Sequence, residues 1–369
     1  MTLKKKQTIL MVSVLLVLLV GAFVLDMALP SYHIAVKVVK KASVYALVAV
    51  SMNLLNGFTG LFSLGQAGFM LLGAYTYMVF SIPVEKRAGV YQYYDGGIIN
   101  FSVPEFFAGI LGETVGSVVG MLIMLLLGGL MAALFAWLIG LPVLRLKSDY
   151  LAIATLGFAE ILRAFVQWEK LGPITNGSNV IKGHPEIGGA FAYVLLSGLL
   201  IAVIVLLVKS TYGRAFIAIR DDEVAAQAMG INLAKHKRLA FVISSFFAGV
   251  GGGMLAMYMG AVQALSFKSA MTYEILLIVV IGGIGSVTGS CISSFLFVAA
   301  SEWWLRFLDQ KQVIGGFEVP LLRNGFRLVV FSIIIMIVVL FFRQGIMGTR
   351  ELPDLIRGWQ RKGKEAHGK

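Results

Sequence analysis

Long apolar stretches recur along this chain of 369 residues, and they restrict its fold more than any other feature. A helix that crosses a bilayer needs about 20 consecutive apolar residues, because the hydrocarbon core is about 30 Å thick. Charged residues make up only 14% of the chain, whereas soluble domains contain about 25%. The sequence therefore predicts an all-α, polytopic integral membrane protein with about ten transmembrane helices, some short or broken. The candidate stretches cover residues 8–29, 42–57, 60–80, 116–144, 149–168, 190–209, 238–262, 271–284, 288–308 and 325–343.

Glycine clusters interrupt this pattern twice, once in each half of the chain. The first lies between the second and third stretches, over residues 57–73, and the second between the eighth and ninth, over residues 282–289. Short, glycine-interrupted segments in both halves of a membrane chain indicate broken helices near a substrate path. The alternative is two unrelated tight turns in which glycine supplies a positive φ.

A few polar side chains inside these stretches are candidates for a solute path. Glu160 and Arg163 lie one turn apart in the fifth stretch and share a face. They would either face a water-filled path or form a structural ion pair. Asn53, Asn56 and Gln66 flank the first glycine cluster, where they would bind solute or satisfy backbone groups that the break frees.

Lysine and arginine are distributed unevenly between the two sides of the predicted membrane topology. Eighteen of the 31 fall on the side that holds both termini, and 11 fall on the other. Because basic residues favour the cytoplasmic side, both termini are expected in the cytoplasm. Lys37, Lys40 and Lys41 are exceptions, since ten spans place them in the first external loop. The net charge of +12 fits basic loops facing anionic lipid and does not indicate nucleic acid.

A polar, basic segment, residues 210–238, separates the sixth and seventh stretches. It predicts a short helix that Asp222 caps and Gly230 ends. Small and apolar residues fill that helix, including Val224, Ala225, Ala226 and Met229. A small-residue helix held clear of the bilayer is suited to contact with a partner.

The sequence contains no pattern typical of catalysis or metal binding. Cys291 is the only cysteine, and the four histidines have no metal-ligand spacing. The nearest phosphate-loop match, residues 358–365, has glutamate where serine or threonine must reach Mg²⁺. We therefore expect no enzyme activity, no metal and no cofactor on this chain.

The remaining polar segments lie outside the predicted spans. Leu352, Leu355, Ile356 and Trp359 follow a helical period among basic residues, which predicts a basic amphipathic helix on the inner membrane surface. The domain prediction is a transmembrane domain over 1–343 and a cytoplasmic tail over 344–369. Two long external loops, 81–115 and 169–189, would be solvated connections or would meet an external protein.

Four stretches carry a resemblance to a known family, and they cover residues 148–163, 212–230, 281–289 and 342–348. They resemble the permease subunits of ATP-binding-cassette (ABC) importers for branched-chain amino acids, in particular the longer, LivM-like subunit. Residues 57–75 match that family more loosely.

The resemblance implies that the segment within 210–238 is a coupling helix, which in such importers docks in a cleft on the ATPase subunit. Glu223 stands one place early for the family's E-A-A-x-x-x-G pattern. The implied assembly contains two ABC ATPase subunits that hold ATP and Mg²⁺, a second permease subunit and an extracytoplasmic solute-binding protein. It would lie in a bacterial plasma (inner) membrane, in contact with lipid. The implied coupling residues are Asp222, Glu223, Val224, Ala225, Ala226, Met229 and Gly230.

The function predicted from the sequence is therefore ATP-driven import of branched-chain or similar small amino acids. Residues 172–177 form a looser turn than the family usually has, so a urea- or amide-type permease is an alternative. An ion-coupled secondary transporter that uses Glu160 is a second alternative, and a structural scaffold is a third.

Overall fold

The computed structural model describes residues 3–146 and 148–305 continuously, and short pieces at 308, 313–314, 317–318, 329–330, 332–333, 336–337, 340, 345–348 and 351. Helices dominate these residues, which confirms the predicted all-α class. In order, they are α1 Leu3–Ala28, α2 Ile34–Asn53, α3 Gln66–Ser81, α4 Val84–Val90, α5 Val103–Leu111, α6 Glu113–Val143, α7 Ser148–Gln167, α8 Gly172–Thr175, α9 Ala190–Lys209, α10 Thr211–Asp221, α11 Glu223–Ala228, α12 Leu233–Met259, α13 Ser269–Gly282 and α14 Val287–Ala299.

Short irregular elements complete the described chain. A π-helical turn, Leu54–Phe58, continues α2, and a second, Ala300–Trp304, continues α14. Single 3₁₀ turns cover Glu169–Leu171 and Ala264–Phe267. Two-residue antiparallel pairs join β1 to β2 and β3 to β4. The strands are β1 Ile181–Lys182, β2 Ala261–Val262, β3 Val313–Ile314 and β4 Phe317–Glu318.

Several of these helices have the length and composition of membrane spans. Among the described residues, α6, α9, α12 and residues 150–167 of α7 pass both criteria, and α3 with α4 passes as a pair bent by 119°. The last predicted span, 325–343, and the tail after 344 lie mostly outside the described residues. The multi-pass membrane fold is thus confirmed, whereas the count of ten and the amphipathic tail stay predictions.

The chain folds into two compact units that interrupt each other in sequence. The terminal unit contains Met1–Ala49, Gly189–Leu199 and Leu277–Lys369. The central unit contains Val50–Gly188 and Leu200–Leu276. This division differs from the predicted one at residue 343, because it follows the packing of helices against one another rather than the hydropathy of the chain.

Glycines line the contact between α3, α6 and α12 in the central unit, where the helix backbones meet directly. A Cβ at Gly73 would overlap the backbone of Gly249, and a Cβ at Gly252 would overlap that of Met70. Gly128 approaches Gly73 as well, so the contact joins three helices. Small residues allow this close approach, which replaces the hydrophobic effect as the driving force inside a bilayer.

Asp26, near the end of α1, caps α9 in the terminal unit. Its carboxylate accepts hydrogen bonds from the backbone N–H groups of Ala190 and Phe191, both at 2.8 Å. A Cβ at Gly189 would overlap this carboxylate, so glycine is required beside it. The first N–H groups of a helix have no partner within the helix, and the helix dipole favours a negative charge there.

We expect Asp26→Ala to lower the free energy of unfolding by about 1–2 kcal/mol, because two N–H groups lose their charged acceptor. A lower thermal midpoint of the detergent-solubilised protein would measure the loss. Asp26→Asn is the matched control, since it retains one acceptor oxygen and should lose less stability. An unchanged midpoint for Asp26→Ala would contradict the capping role.

The second helix begins earlier than predicted, because α2 starts at Ile34 rather than at residue 42. The three lysines assigned to an external loop therefore lie on a helix. Lys40 Nζ lies 5.4 Å from the centre of the Tyr193 ring, and Lys41 Nζ lies 2.5 Å from Glu302 Oε1. These contacts explain how the amines are accommodated on an otherwise apolar helix.

The loop over 81–115 contains α4 and α5 and is locked to the loop over 169–189. The hydroxyl of Tyr91 donates to the carbonyl of Ile174 at 2.9 Å, and Asn176 Nδ2 donates to the carbonyl of Val90 at 3.1 Å. Burial raises the pKa of Tyr91 to about 12, so this donor keeps its proton at physiological pH. The two segments thus form an ordered surface instead of plain connections.

Candidate functional site

The segment predicted as a coupling element folds into two short helices that share one residue. Ser210 caps α10 by accepting from the N–H groups of Tyr212 and Gly213. The N–H of Asp222 closes α10 on the carbonyl of Ala218, while its carboxylate starts α11. Because one residue ends the first helix and caps the second, no flexible linker separates α10 from α11.

The predicted boundaries of α11 are confirmed at both ends. The carboxylate of Asp222 accepts from the N–H groups of Val224 and Ala225 at 2.8 and 3.0 Å. At the other end, Gly230 has φ +84°, and the N–H of Ile231 bonds to the carbonyl of Ala226 at 3.1 Å. This is a Schellman ending, which favours glycine because the left-handed conformation strains other residues.

The side chains of α11 divide between a buried and an exposed face. Ala226 is only 4% exposed, so it packs inward. Val224 and Met229 are 79% and 84% exposed. We call these two apolar side chains the exposed face of α11. Glu223 points to α12 instead, where its carboxylate lies 2.6 Å from Lys237 Nζ.

The first glycine cluster is a broken helix, as predicted. After the π-helical turn Leu54–Phe58, Gly60 has φ +73° and α3 begins only at Gln66. No side chain at the N-cap position of α3 makes a capping bond. A hydroxyl of another helix takes that role: Thr272 accepts from the N–H of Ala67 at 3.0 Å. Thr155 accepts from the N–H of Leu64 in the break itself, at 2.9 Å.

Of the polar candidates beside this break, Asn56 holds its backbone. Asn56 both accepts from the N–H of Ser63 at 3.2 Å and donates to its carbonyl at 3.4 Å. Gln66 is buried and donates to the side-chain hydroxyl of Ser51 at 2.7 Å, and Asn53 is fully buried. For Asn56, the bonds support satisfaction of freed backbone groups, one of the two roles open from sequence.

Glu160 and Arg163 form an ion pair with each other, and both residues belong to α7. Glu160 Oε2 lies 2.7 Å from both Arg163 Nε and Arg163 Nη2. Arg163 Nη1 also donates to Gln167 at 2.9 Å. The other oxygen of Glu160 accepts from the N–H of Ser269 at 3.3 Å, where α13 begins. Glu160 therefore lies at the contact of α7 with α13, whereas Asn56 and Gln66 lie at the α2–α3 break.

The second glycine cluster is also a broken helix, between α13 and α14 in the terminal unit. Residues 345–348 lie in this break: the N–H groups of Ile346 and Met347 bond to the carbonyls of Ile281 and Gly282. The Glu351 carboxylate accepts from the N–H groups at the start of α14, Val287 and Thr288, at 2.8 and 3.1 Å.

Sequence reasoning missed Thr155, Thr272 and Glu351, because each accepts from a backbone N–H that is distant in sequence. A hydroxyl or carboxylate in an apolar stretch indicates a polar role but does not identify the backbone group it meets. No group of three histidine, cysteine, aspartate or glutamate side chains could hold a metal ion within the described part of the chain.

The comparisons with known proteins agree with this architecture. A model of the family described as "Branched-chain amino acid transport system / permease component" matches residues 34–341. The LivM permease protein of Escherichia coli K12 is 30% identical over 307 residues, which cover 74% of this chain and 64% of the relative. A probable LivM permease protein of Methanocaldococcus jannaschii is 24% identical, over 69% of this chain and 76% of the relative.

A shorter relative matches too. The LivH permease protein of Escherichia coli K12 is 24% identical, over 74% of this chain and 86% of the relative. No solved structure matches the chain. The chain covers slightly less than two thirds of the length of the Escherichia coli LivM protein. All three relatives are named as permease proteins rather than as enzymes. Because the family match extends over most of its length, the chain belongs to the permease-component family of branched-chain amino acid transport systems.

Proposed function

We propose that this chain is a transmembrane permease subunit of an ATP-driven importer for branched-chain or similar small amino acids. The proposed assembly contains ABC ATPase subunits that hold ATP and Mg²⁺, a second permease subunit and an extracytoplasmic solute-binding protein. In this proposal both termini lie in the cytoplasm of a bacterial cell, and α11 docks on an ATPase subunit.

One observation carries the proposal: α11 is a short helix, capped at both ends, whose exposed surface includes the apolar side chains of Val224 and Met229. Val224 and Met229 are the most exposed large apolar side chains of this segment, at 79% and 84%. Apolar side chains that remain exposed on a polar, basic segment favour contact with a partner protein. The names of the relatives support transport of branched-chain amino acids as the activity.

Reconstitution tests the proposal. The chain is purified with the ATPase, second permease and solute-binding subunits of its own organism and placed in proteoliposomes. We expect uptake of radiolabelled leucine, isoleucine or valine that requires ATP on the ATPase side. The same vesicles are supplied with urea and short amides, and uptake of these alone would favour the amide-type permease. Uptake by this chain alone along a proton or Na⁺ gradient would contradict ATP coupling.

Glu160 distinguishes the ion-coupled alternative from the proposal. Its carboxylate is already engaged by Arg163 and by the N–H of Ser269. We expect Glu160→Gln to weaken uptake by a few-fold, because a neutral amide oxygen accepts the N–H of Ser269 more weakly than the carboxylate does and so loosens the α7–α13 contact. Initial rates at several solute and proton concentrations measure this. Unchanged kinetics would make the pair purely structural, and a lost dependence on protons would identify Glu160 as an ion site.

A further inference from the structure

Arg220, the second-last residue of α10, reaches from the coupling segment to the first broken helix. Its Nη1 donates to the carbonyl of Gly57 at 3.1 Å. Its Nε and Nη2 donate to the carboxylate of Asp221 at 3.0 and 2.8 Å. All three residues belong to the central unit. The guanidinium therefore joins the end of α10 to the π-helical turn that precedes the break.

The backbone of the break is shaped to receive Arg220. Gly60 has φ +73°, and a Cβ at this position would lie 3.0 Å from Arg220 Cγ and 3.2 Å from Arg220 Cα. The stem of Arg220 therefore lies directly against a residue that must be glycine-like in conformation. Gly57 lies in the last turn before the break, where carbonyls lose their helical partners and a charged donor is favourable.

Arg220 is also attached rigidly to α11. Asp222 follows two residues later, and it both ends α10 and caps α11. Phe216 and Ile219 bury the inner face of α10, and the Glu223–Lys237 ion pair holds α11 to α12. A displacement of α11 would therefore be passed to Arg220 through Asp221 and Asp222, the two residues that separate Arg220 from α11. On the other side of Gly60, the chain leads to the N-terminus of α3.

We propose that Arg220 is the positioning residue that transmits movement of α11 to the break between α2 and α3. The inference rests on the proposed docking of α11 on an ATPase subunit, and it adds how that docking reaches the membrane helices. Force on α11 would pull the Gly57 carbonyl through the guanidinium and press on Gly60 through the side-chain stem. The planar fork is required, because one nitrogen holds Gly57 while the other two stay on Asp221. A lysine ammonium has three N–H donors on one nitrogen, so it lacks the fork spacing by which separate nitrogens of Arg220 reach Gly57 and Asp221.

The test compares Arg220→Ala with Arg214→Ala, which removes the same charge from an exposed position of the same helix. Both are made in the complete importer, with Cys291→Ser so that introduced thiols report alone. One reporter is Phe62→Cys, two residues beyond Gly60, where the native side chain is 40% exposed. Its rate of labelling is measured without nucleotide and with a non-hydrolysable ATP analogue. A second reporter, Met229→Cys, measures crosslinking of α11 to the ATPase subunit.

We expect nucleotide to change the labelling rate at residue 62 by about fivefold or more in the parent and in Arg214→Ala, a usual size for coupling between sites. Arg220→Ala should abolish this response and lower uptake per ATP hydrolysed, while Met229→Cys still crosslinks. A role limited to folding would lower expression or crosslinking but would leave the response of the remaining protein intact. If Arg220→Ala does not assemble, Arg220→Lys replaces it in the test. Arg220→Lys should lose most of the change in labelling rate that nucleotide causes at residue 62.

The outcomes separate the two proposals. Crosslinking at residue 229 with an undiminished response in Arg220→Ala, or in Arg220→Lys, would overturn the role of Arg220 and leave the docking of α11 standing. No crosslinking at residue 229 in the parent would overturn the docking, and the role of Arg220 with it. An equal loss of response in Arg214→Ala would show a general effect of charge, which also overturns the role of Arg220.

Discussion

Gly73→Val should leave almost no folded protein, because it separates the three helices that form the core of the central unit. A Cβ at Gly73 would overlap the backbone of Gly249, which cannot move aside as a flexible side chain does. Gly128 approaches Gly73 from α6, so a shift of α3 disturbs both neighbours. We expect a loss of about 5 kcal/mol or more, above the usual cost of overpacking, because the overlap is with backbone atoms. A loss of this size reaches the lower end of the total stability of native proteins, which is about 5–15 kcal/mol.

The measurement is the fraction of monodisperse protein after detergent extraction, with the thermal midpoint of whatever remains. Gly157→Val is the matched control, since it places the same side chain on α7, where a Cβ meets nothing within 4 Å. The control should change the free energy of unfolding by about 0.5 kcal/mol or less. A monodisperse Gly73→Val variant with the midpoint of the control would contradict the close helix contact.

Asp substitutions on the exposed face of α11 should uncouple ATP hydrolysis from uptake without unfolding the protein. Val224 and Met229 are largely exposed, so neither substitution buries a charge in the free subunit. In the proposed complex each side chain becomes desolvated against the ATPase subunit, where a carboxylate is costly. We expect each change to weaken docking by about 2 kcal/mol or more, which corresponds to about 30-fold weaker binding.

Co-purification of the ATPase subunit and its pull-down affinity measure this loss, and the thermal midpoint of the permease should stay the same. Met229→Leu is the control, because it keeps the apolar contact and should bind within a few-fold of the parent. Ala226→Arg acts differently, since Ala226 is 4% exposed and its replacement disrupts the packing of α11 itself. Wild-type docking by both Asp variants would place the ATPase contact elsewhere.

The details of α11 could be predicted from sequence because capping is local. Asp222 meets N–H groups two and three residues along, and Gly230 takes a conformation that few other residues adopt without strain. The same local logic located both broken helices from their glycines. Hydropathy identified most apolar helices as well, but it misplaced the start of α2, because three lysines looked like a loop.

The lysines of α2 show what hydropathy and charge counts along the sequence cannot detect. Lys40 lies over the ring of Tyr193 and Lys41 pairs with the carboxylate of Glu302, and both partners are more than 150 residues away in sequence. Charge counting assumes that a basic residue lies in water or at a lipid surface, and it cannot include such partners. For Glu160, sequence offered the local partner Arg163 but could not show the N–H of Ser269, 109 residues away, which places Glu160 against α13.

The amino-acid sequence by itself determined the class of protein, the helix breaks and the capped helix α11, because hydropathy, glycine conformation and capping act over a few neighbouring residues. Only the tertiary structure decided which groups complete the breaks: Thr155 and Thr272 at α3, Glu351 at α14 and Arg220 at Gly57. A freed backbone group in an apolar environment must find a partner, and the helix that supplies it depends on which helices meet in three dimensions.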